Sequence, residues 1–201
     1  MALSRRFLLA SATAGLAVSA ARPALALVGG QTGVSPALIA RALSALQKHQ
    51  DSIPQRDVIA IADFSKPSNA RRFHLLDVAS GGVTSYLVAH GRGSDPAHTG
   101  WLERFSNQPS SNATSSGAFR TEGFYIGAHG RSIRLAGLDG TNNNAEPRGI
   151  VVHGAWYVSD AMAREHGVLG RSQGCFALAE NCLNDVFAKL GPGRMIYADK
   201  V

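Results

Sequence analysis

The sequence predicts a mainly β domain of the α+β type with a few peripheral helices. Short apolar runs bounded by Gly, Ser and Asn outnumber helical patterns, and the chain contains 22 glycines. A length of 201 residues suits one domain with a substantial core better than two domains. No internal repeat of useful length is present.

Residues 1–26 have the composition of a signal peptide rather than of the domain. Arg5 and Arg6 precede an alanine-rich apolar run, and Ala24-Leu25-Ala26 forms a small-x-small cleavage site. The apolar run is too short for a convincing membrane span. The stretch SRRFLL resembles a twin-arginine signal, and an ordinary Sec signal with two arginines is an equal alternative. We therefore expect export to the periplasm or cell wall, with no stable membrane anchor after cleavage.

The charge of the chain argues against a nucleic-acid partner. Removal of residues 1–26 takes away three arginines and no acidic residue, which lowers the formal charge from +6 to +3. This excess is modest for a nucleic-acid-binding domain and better suits an anionic wall or membrane surface. We expect a soluble monomer.

After the signal, residues 27–56 form an N-terminal segment with one helix, and residues 57–201 form the main domain. Ser35-Pro36 supplies an N-cap residue and a first-turn proline, and apolar residues then recur at helical spacing, which predicts a helix over 36–49. In chain order the later patterns predict strands at 58–62, 72–78 and 83–89 (the last two forming a hairpin), polar loops over 90–117, strands at 123–127, 132–135 and 149–153, helices at 159–165 and 178–190, and a strand at 194–198.

The two cysteines have different predicted roles. An exported domain with only Cys175 and Cys182 contains either one disulfide or two thiols, and the short loop between them makes a bridge unfavourable. Cys182 falls within the apolar pattern of the predicted helix, where a small buried side chain is expected. Neither CxxC nor HExxH spacing occurs, so we expect no metal and no cofactor.

Cys175 lies in the segment GRSQGC, residues 170–175, which suits a nucleophile. A thiol attacks a carbonyl as thiolate and needs a nearby base or positive charge, together with donors for the oxyanion. Gly174 permits close approach of a substrate, and the amides of residues 174 and 175 can form an oxyanion hole. Arg171 adds a positive charge or binds a substrate carboxylate.

Among seven histidines, His153 is the best candidate for the base. It ends a predicted buried strand, and a strand end is rigid, as a general base requires. His74 within a hairpin and His166 at a helix end suit structural or solvated roles. The histidine precedes the cysteine by 22 residues, whereas papain-like enzymes have the reverse order.

These residues resemble the L,D-transpeptidases of peptidoglycan, the YkuD-like superfamily, and in particular its divergent murein L,D-transpeptidase catalytic domain branch. The resemblance covers residues 57–198 and is carried by HGRG at 90–93, RGIVVHGAWYVS at 148–159 and GRSQGC. It implies an L,D-transpeptidase-like β-sandwich or barrel with peripheral helices. Two positions depart from the family pattern: Gln173 replaces the usual motif histidine, and the FAL segment after Cys175 lacks the usual arginine.

The resemblance also implies the site residues. Cys175 would be the nucleophile and His153 its base, with the Gly154 carbonyl orienting the imidazole. Ser172 and the amides of Gly174 and Cys175 would shape the oxyanion pocket.

Further residues are candidates for substrate binding, each with a structural alternative. They would contact the donor stem peptide, or else stabilise turns or pack in the core. These residues are Arg171, His90, Arg92, His129 and Trp156. Arg148 is expected to pair with an acidic residue on the sheet.

The activity implied is a ping-pong acyl transfer through a cysteine thioester, with peptidoglycan stem peptides as donor and acceptor. A stem peptide has an L-residue followed by a D-residue at two places, so the resemblance permits cross-links of either the 3-3 or the 1-3 type. It also implies acylation by carbapenems. An exported cysteine hydrolase, an amidase or endopeptidase acting on the same peptides, is the alternative. A catalytically silent wall-binding domain is disfavoured because Cys175 and His153 are both present. A zinc peptidase is disfavoured further, because no HExxH or paired-ligand spacing occurs.

Overall fold

The computed structural model describes residues 33–201, so the predicted signal peptide lies outside the described residues. In chain order the elements are α1 (Pro36–Lys48), β1 (Val58–Asp63), β2 (Phe73–Asp77), β3 (Val83–Tyr86), β4 (Val88–Ala89), β5 (Gly117–Gly127), β6 (Gly130–Gly137), β7 (Val151–Gly154), α2 (Asp160–His166), β8 (Phe176–Leu178), α3 (Leu183–Lys189) and β9 (Met195–Asp199). Short 3-10 turns cover Arg92–Ser94 and Glu180–Cys182.

The nine strands form one mixed sheet in the order β3-β2-β1-β9-β5-β6-β7-β8-β4. The β1–β9 and β7–β8 pairs are parallel, and the other pairs are antiparallel. The two edge strands, β3 and β4, are separated only by Leu87. The sheet therefore curls back on itself, and the prediction of a mainly β, barrel-like domain with peripheral helices is confirmed.

The strand predicted over 83–89 is one chain segment that serves both ends of this sheet. Its first half pairs with β2, as the predicted hairpin requires, whereas Val88 and Ala89 pair with β8. A continuous apolar run does not reveal such a change of partner, because both halves are equally suited to a strand.

The core inside the curled sheet anchors the segment around Cys175. Phe176, the next residue, is fully buried and packs edge-on against Phe119, with ring centroids 5.4 Å apart, and against Phe64. Burial of one such ring stabilises the fold by about 2–3 kcal/mol. The backbone at Cys175 is thus fixed by the packing of its neighbour.

Helix α1 covers the other face of the sheet, as its apolar pattern predicts. Leu38, Ile39 and Ala42 are buried against β1 and β9 in a second apolar cluster. Pro36 occupies the first turn as expected, but the Ser35 side chain makes no capping hydrogen bond.

Three predicted elements were wrong in extent. β5 and β6 are longer than predicted because β5 pairs with β9 along its first half and with β6 along most of its length. The helix predicted from residue 178 begins later, because Leu178 is a strand residue held between Gly154 of β7 and Val88 of β4. Inter-strand pairing thus overrides the helical spacing of the apolar residues there. By contrast, α2 ends at Gly167, which adopts φ +70° as predicted for a helix stop.

Candidate active site

Adjacent parallel strands bring His153 and Cys175 to one face of the sheet. In the register of β7 and β8, Val152 pairs with Phe176 and His153 with Ala177, and Cys175 immediately precedes β8. Val152 and Phe176 point into the inner core. Because side chains alternate along a strand, His153 and Cys175 point to the opposite face.

Both side chains line one cavity of about 450 Å³. The cavity is bordered by the β5–β6 hairpin, the start of β7 and the GRSQGC loop. Its lining residues are Tyr125, Ala128, His129, Arg148, Gly149, Val151, His153, Tyr157, Arg171, Ser172, Gln173 and Cys175.

The tautomer of His153 follows from its hydrogen bond. Nδ1 lies 2.8 Å from the Gly154 carbonyl oxygen, which can only accept, so Nδ1 carries the proton. The neutral ring then presents the lone pair of Nε2 for a proton. The imidazole is therefore held in the form that a general base requires.

The surroundings of His153 keep it neutral. Burial lowers the pKa of His153, the bond to Gly154 opposes this effect, and the charge of a protonated His129 would lower the pKa further. The His129 ring is stacked on the His153 ring, with centroids 4.2 Å apart and an interplanar angle of 20°. His129 comes from the exposed turn between β5 and β6 and covers the buried imidazole.

Both cysteines are free thiols. The Cys175 thiol is half-buried and donates to the Gly149 carbonyl oxygen at 3.6 Å. Burial raises its pKa, while a hydrogen bond from Val151 and the charge of Arg148 lower it. The resting pair is thus a neutral thiol beside a neutral imidazole, and a proton must move before the sulfur can attack.

Ser172 organises the turn that presents Cys175. Its hydroxyl donates to the Cys175 carbonyl oxygen at 2.7 Å and accepts from the Gly174 amide at 3.1 Å. Its own amide donates to the His90 carbonyl oxygen, and its carbonyl accepts from the Arg92 amide. Since the Gly174 amide is used inside the loop, the expectation that it points to an oxyanion together with the Cys175 amide needs correction.

Gly174 is required by the backbone and by space. Its φ is +117°, and a Cβ there would lie 2.8 Å from both the Ala113 carbonyl oxygen and the Ile150 side chain. A side chain at Gly91 would likewise lie 2.7 Å from the Gly174 amide nitrogen. The HGRG and GRSQGC segments therefore pack backbone to backbone.

His90 does not line the cleft. It is 1% exposed, its Nδ1 accepts from Arg72 at 2.7 Å, and its Nε2 lies 3.3 Å from Asp95. Both ring nitrogens are occupied by protein groups, so a direct contact with substrate is not available to it. Its place is beneath the loop, where its carbonyl holds Ser172.

The other predicted binding residues differ in position. His129 and Arg171 line the cavity, and the Arg171 guanidinium also donates to the carbonyl oxygens of Asp95 and Pro96. Arg92 is exposed, and Trp156 is 75% exposed and edge-on to Tyr157. Arg92 and Trp156 are outside the lining of the cavity, whereas Tyr157 belongs to it.

Arg148 does not pair with an acidic residue as expected. It lines the cavity of Cys175 and also an adjacent cavity of about 660 Å³, which shares Gln173 with the first. Its place in the motif RGIVVHG, five residues before His153, was the available signal. A lone arginine before a strand does not by itself indicate a site residue, and nothing in the sequence pointed to Tyr125.

The part of the chain described here, residues 33–201, contains no grouping of three or more His, Cys, Asp or Glu side chains suited to a metal ion. It also has no helix with the length and apolar character needed to cross a bilayer.

A cysteine and a neutral histidine that share a cleft on adjacent strands define a candidate thiol-dependent acyl-transfer centre. Residues 30–198 match the family model described as the L,D-transpeptidase catalytic domain. The chain belongs to the L,D-transpeptidase catalytic domain family.

Solved structures with a similar fold share little sequence with the chain. The L,D-transpeptidase LdtMt1 in complex with imipenem is 15% identical, with 71% of this chain and 59% of that chain covered and a TM-score of 0.43. An L,D-transpeptidase from Mycobacterium smegmatis is 15% identical, with 71% of this chain and 58% of that chain covered and a TM-score of 0.44. An L,D-transpeptidase from Xylanimonas cellulosilytica is 17% identical, with 76% of this chain and 68% of that chain covered and a TM-score of 0.44. The chain thus spans about three fifths of the length of the first two solved chains. The comparison with curated proteins found no match.

Proposed function

We propose that the protein is a peptidoglycan L,D-transpeptidase that works through a thioester on Cys175. The observation that carries this proposal is the placement of His153 and Cys175 on one face of adjacent strands, with Nδ1 of the imidazole held by Gly154. Family membership supports the substrate class.

In the first half of the reaction, the thiol proton passes from Sγ of Cys175 to Nε2 of His153. The thiolate attacks the carbonyl of an L-residue that precedes a D-residue in the donor stem peptide. The C–N bond breaks, the leaving amine takes the proton from Nε2, and the donor acyl group is left as a thioester. The amide of Cys175 is our candidate donor to the oxyanion, because Ser172 already accepts from the Gly174 amide.

In the second half, an amine of an acceptor stem peptide attacks the thioester. His153 accepts the amine proton at Nε2, the C–S bond breaks, and the Cys175 thiolate leaves and is reprotonated by the imidazolium. Of the predicted donor-binding residues, Arg171 and His129 are placed to meet a ligand, since both line the cleft. We propose no substrate role for His90, which is enclosed by Arg72 and Asp95.

The domain division, export and assembly are part of the same proposal. Residues 1–26 would direct export to the periplasm or cell wall and be removed. Residues 27–56 would form the N-terminal segment with one helix, and residues 57–201 would act as a monomeric catalytic domain without a cofactor. The N-terminal pattern of the sequence and the chemistry of peptidoglycan support this localisation.

The test is incubation of residues 27–201 with defined muropeptides, followed by tandem mass spectrometry of the products. Dimers that form only in the presence of Cys175 are expected, and their bond sequence distinguishes 3-3 from 1-3 links. Shortened monomers without dimers would instead support the exported cysteine hydrolase. The Cys182→Ala variant serves as the matched thiol control, because its sulfur contacts the Ala179 carbonyl oxygen and lies outside the lining of the cleft.

A further inference from the structure

Arg148 is held by four neutral hydrogen-bond acceptors. Its Nη1 donates to the Ser106 carbonyl oxygen at 2.9 Å and to Ser115 Oγ at 2.7 Å. Its Nη2 donates to the Ala113 carbonyl oxygen at 2.5 Å and to Ser111 Oγ at 3.2 Å. All four partners come from the polar loop between the Arg92–Ser94 turn and β5. The guanidinium is therefore fixed in position rather than free to move in solvent.

The charge of Arg148 is not neutralised by the residues that hold it. Among the ion pairs found within residues 33–201, Arg41, Arg71, Arg120 and Arg194 each contact a carboxylate, and Arg148 contacts none within 4.0 Å. Carbonyl and hydroxyl dipoles orient toward a cation but do not cancel its charge at a distance. Arg148 thus brings an uncompensated positive charge into a half-buried position.

Arg148 and Cys175 line the same cleft, and two contacts connect their surroundings. Along the chain, the next residue is Gly149, whose carbonyl oxygen accepts from Sγ of Cys175. Across the cleft, Nη2 of Arg148 lies 3.2 Å from the position that a Cβ of Gly174 would take. A positive charge in the partly dry cleft that holds the sulfur favours its thiolate form. In agreement, Arg148 lowers the pKa of the Cys175 thiol against the effect of burial.

The other groups that face Cys175 are less suited to this role. Arg171 directs one guanidinium nitrogen to the carbonyl oxygens of Asp95 and Pro96. His153 is a neutral ring until it takes the thiol proton, and His129 lies against that ring rather than against the sulfur. The remaining titratable side chains of the cleft are the phenols of Tyr125 and Tyr157, which cannot supply positive charge. The FAL segment after Cys175 contains no cation.

We propose that Arg148 is a positioning residue whose fixed charge stabilises the Cys175 thiolate, both as it forms for attack and as it leaves the thioester. Arg148 takes no part in proton transfer, which runs between Sγ and Nε2 of His153. The FAL segment after Cys175 contains no positive charge, and Arg148, which precedes β7, supplies one instead. The inference rests on the proposed function, in which Cys175 is the nucleophile.

The test is the pH dependence of Cys175 alkylation by iodoacetamide, measured in a Cys182→Ala background so that one thiol reacts. Arg148→Met should raise the thiol pKa and lower the alkylation rate at pH 7 by about tenfold, which corresponds to a tenfold smaller thiolate fraction. The limiting rate at high pH should stay near that of the parent. Arg148→Lys should restore part of the loss, since it keeps the charge. Arg41→Gln, which removes an exposed arginine on α1, should leave the profile unchanged.

A second pair of variants separates charge from support of the loop. Ser111→Ala and Ser115→Ala each remove one acceptor of Arg148 and keep its charge, so the thiol pKa should stay near that of the parent. An unchanged thiol pKa in folded Arg148→Met, or a serine variant that shifts the pKa as far as Arg148→Met, would overturn the proposal. Loss of turnover in Cys175→Ala together with such a result would reject the role of Arg148 and keep the proposed function. Retained turnover in Cys175→Ala would reject both.

Discussion

The imidazole of His129 lies on the imidazole of His153 with ring centroids 4.2 Å apart. One ring is exposed at the tip of the β5–β6 hairpin, and the other is buried at the end of β7. Burial is the main cause that lowers the pKa of His153, and a charge on His129 adds to it. The hairpin turn therefore contributes to keeping the proposed base unprotonated.

Replacement of His129 should shift the acidic limb of the activity profile. His129→Ala exposes His153 to water and removes the charge that a protonated His129 would place beside it, and both effects raise the pKa of His153. The acidic limb of kcat/KM should move to higher pH, while the rate on the plateau falls only modestly. His129→Phe, which keeps a ring over His153 without its charge, should shift the limb less than His129→Ala. An acidic limb unchanged in both variants would show that the stack has no influence on the base.

His153→Gln should lower the rate of Cys175 acylation by a β-lactam at neutral pH by about 10²- to 10⁴-fold, the usual contribution of a general base. In the parent, the pKa of His153 lies below its ordinary value of 6.5, so activity should persist to lower pH than that value. His166→Gln, at an exposed position at the end of α2, should leave both the rate and the profile unchanged. Equal acylation rates in His153→Gln and the parent would require a different base.

A carbapenem should form a covalent adduct on Cys175, as the family resemblance implies. Intact-mass analysis should show one adduct on the parent and on Cys182→Ala, and none on Cys175→Ala. Cys175→Ala should keep its fold, since the removed thiol contributes only weak hydrogen bonds with the backbone of Gly149 and Val151. A parent that takes up no carbapenem under conditions where iodoacetamide reacts would contradict this prediction.

Gly174→Ala should destabilise the domain and abolish turnover. At φ +117° a side chain is strained, and its Cβ would meet the Ala113 carbonyl oxygen and Ile150 at 2.8 Å. We expect a loss of about 2 kcal/mol or more in the free energy of unfolding, measured by urea titration. Gly123→Ala is the matched control, because a Cβ there meets no atom within 4 Å. A stable and active Gly174→Ala variant would show that the turn can adopt another backbone conformation.

The domain should lose stability as the pH falls from about 6.5 to about 4. His74 and His90 are buried, and burial lowers the pKa of each to about 4. An unfolded histidine takes a proton near pH 6.5 and the folded one does not, so protons favour the unfolded chain in this window. Each group should cost up to about 1.4 kcal/mol per pH unit.

Urea titrations at pH 7 and pH 4.5 measure this loss. His74→Leu removes one of the two groups and should reduce the pH dependence, whereas His166→Gln should not. Equal pH dependence in the parent and in His74→Leu would show that other groups, rather than this histidine, control acid stability.

Much of the fold could be predicted from local patterns. Helix α1, the β2–β3 hairpin, β1, β9 and the end of α2 at Gly167 follow from spacing, turn residues and helix stops. The pairing partners of the strands could not be predicted. For this reason residues 83–89 were predicted as one strand with one partner, and Leu178 was predicted as the start of a helix. Pairing depends on contacts between residues far apart in the chain, which no local pattern records.

The sequence by itself determined the family, the mainly β class and the choice of Cys175 and His153, because a Gly-Cys turn and a histidine at the end of an apolar run are local features. Only the tertiary structure decided which groups surround the sulfur. It enclosed His90 between Arg72 and Asp95 and committed the Gly174 amide to Ser172. It also stacked His129 on His153 and placed Arg148, without a carboxylate partner, in the cleft of the thiol. The reason is physical: the charge, burial and hydrogen bonds at a site come from segments that meet only when the sheet curls back on itself.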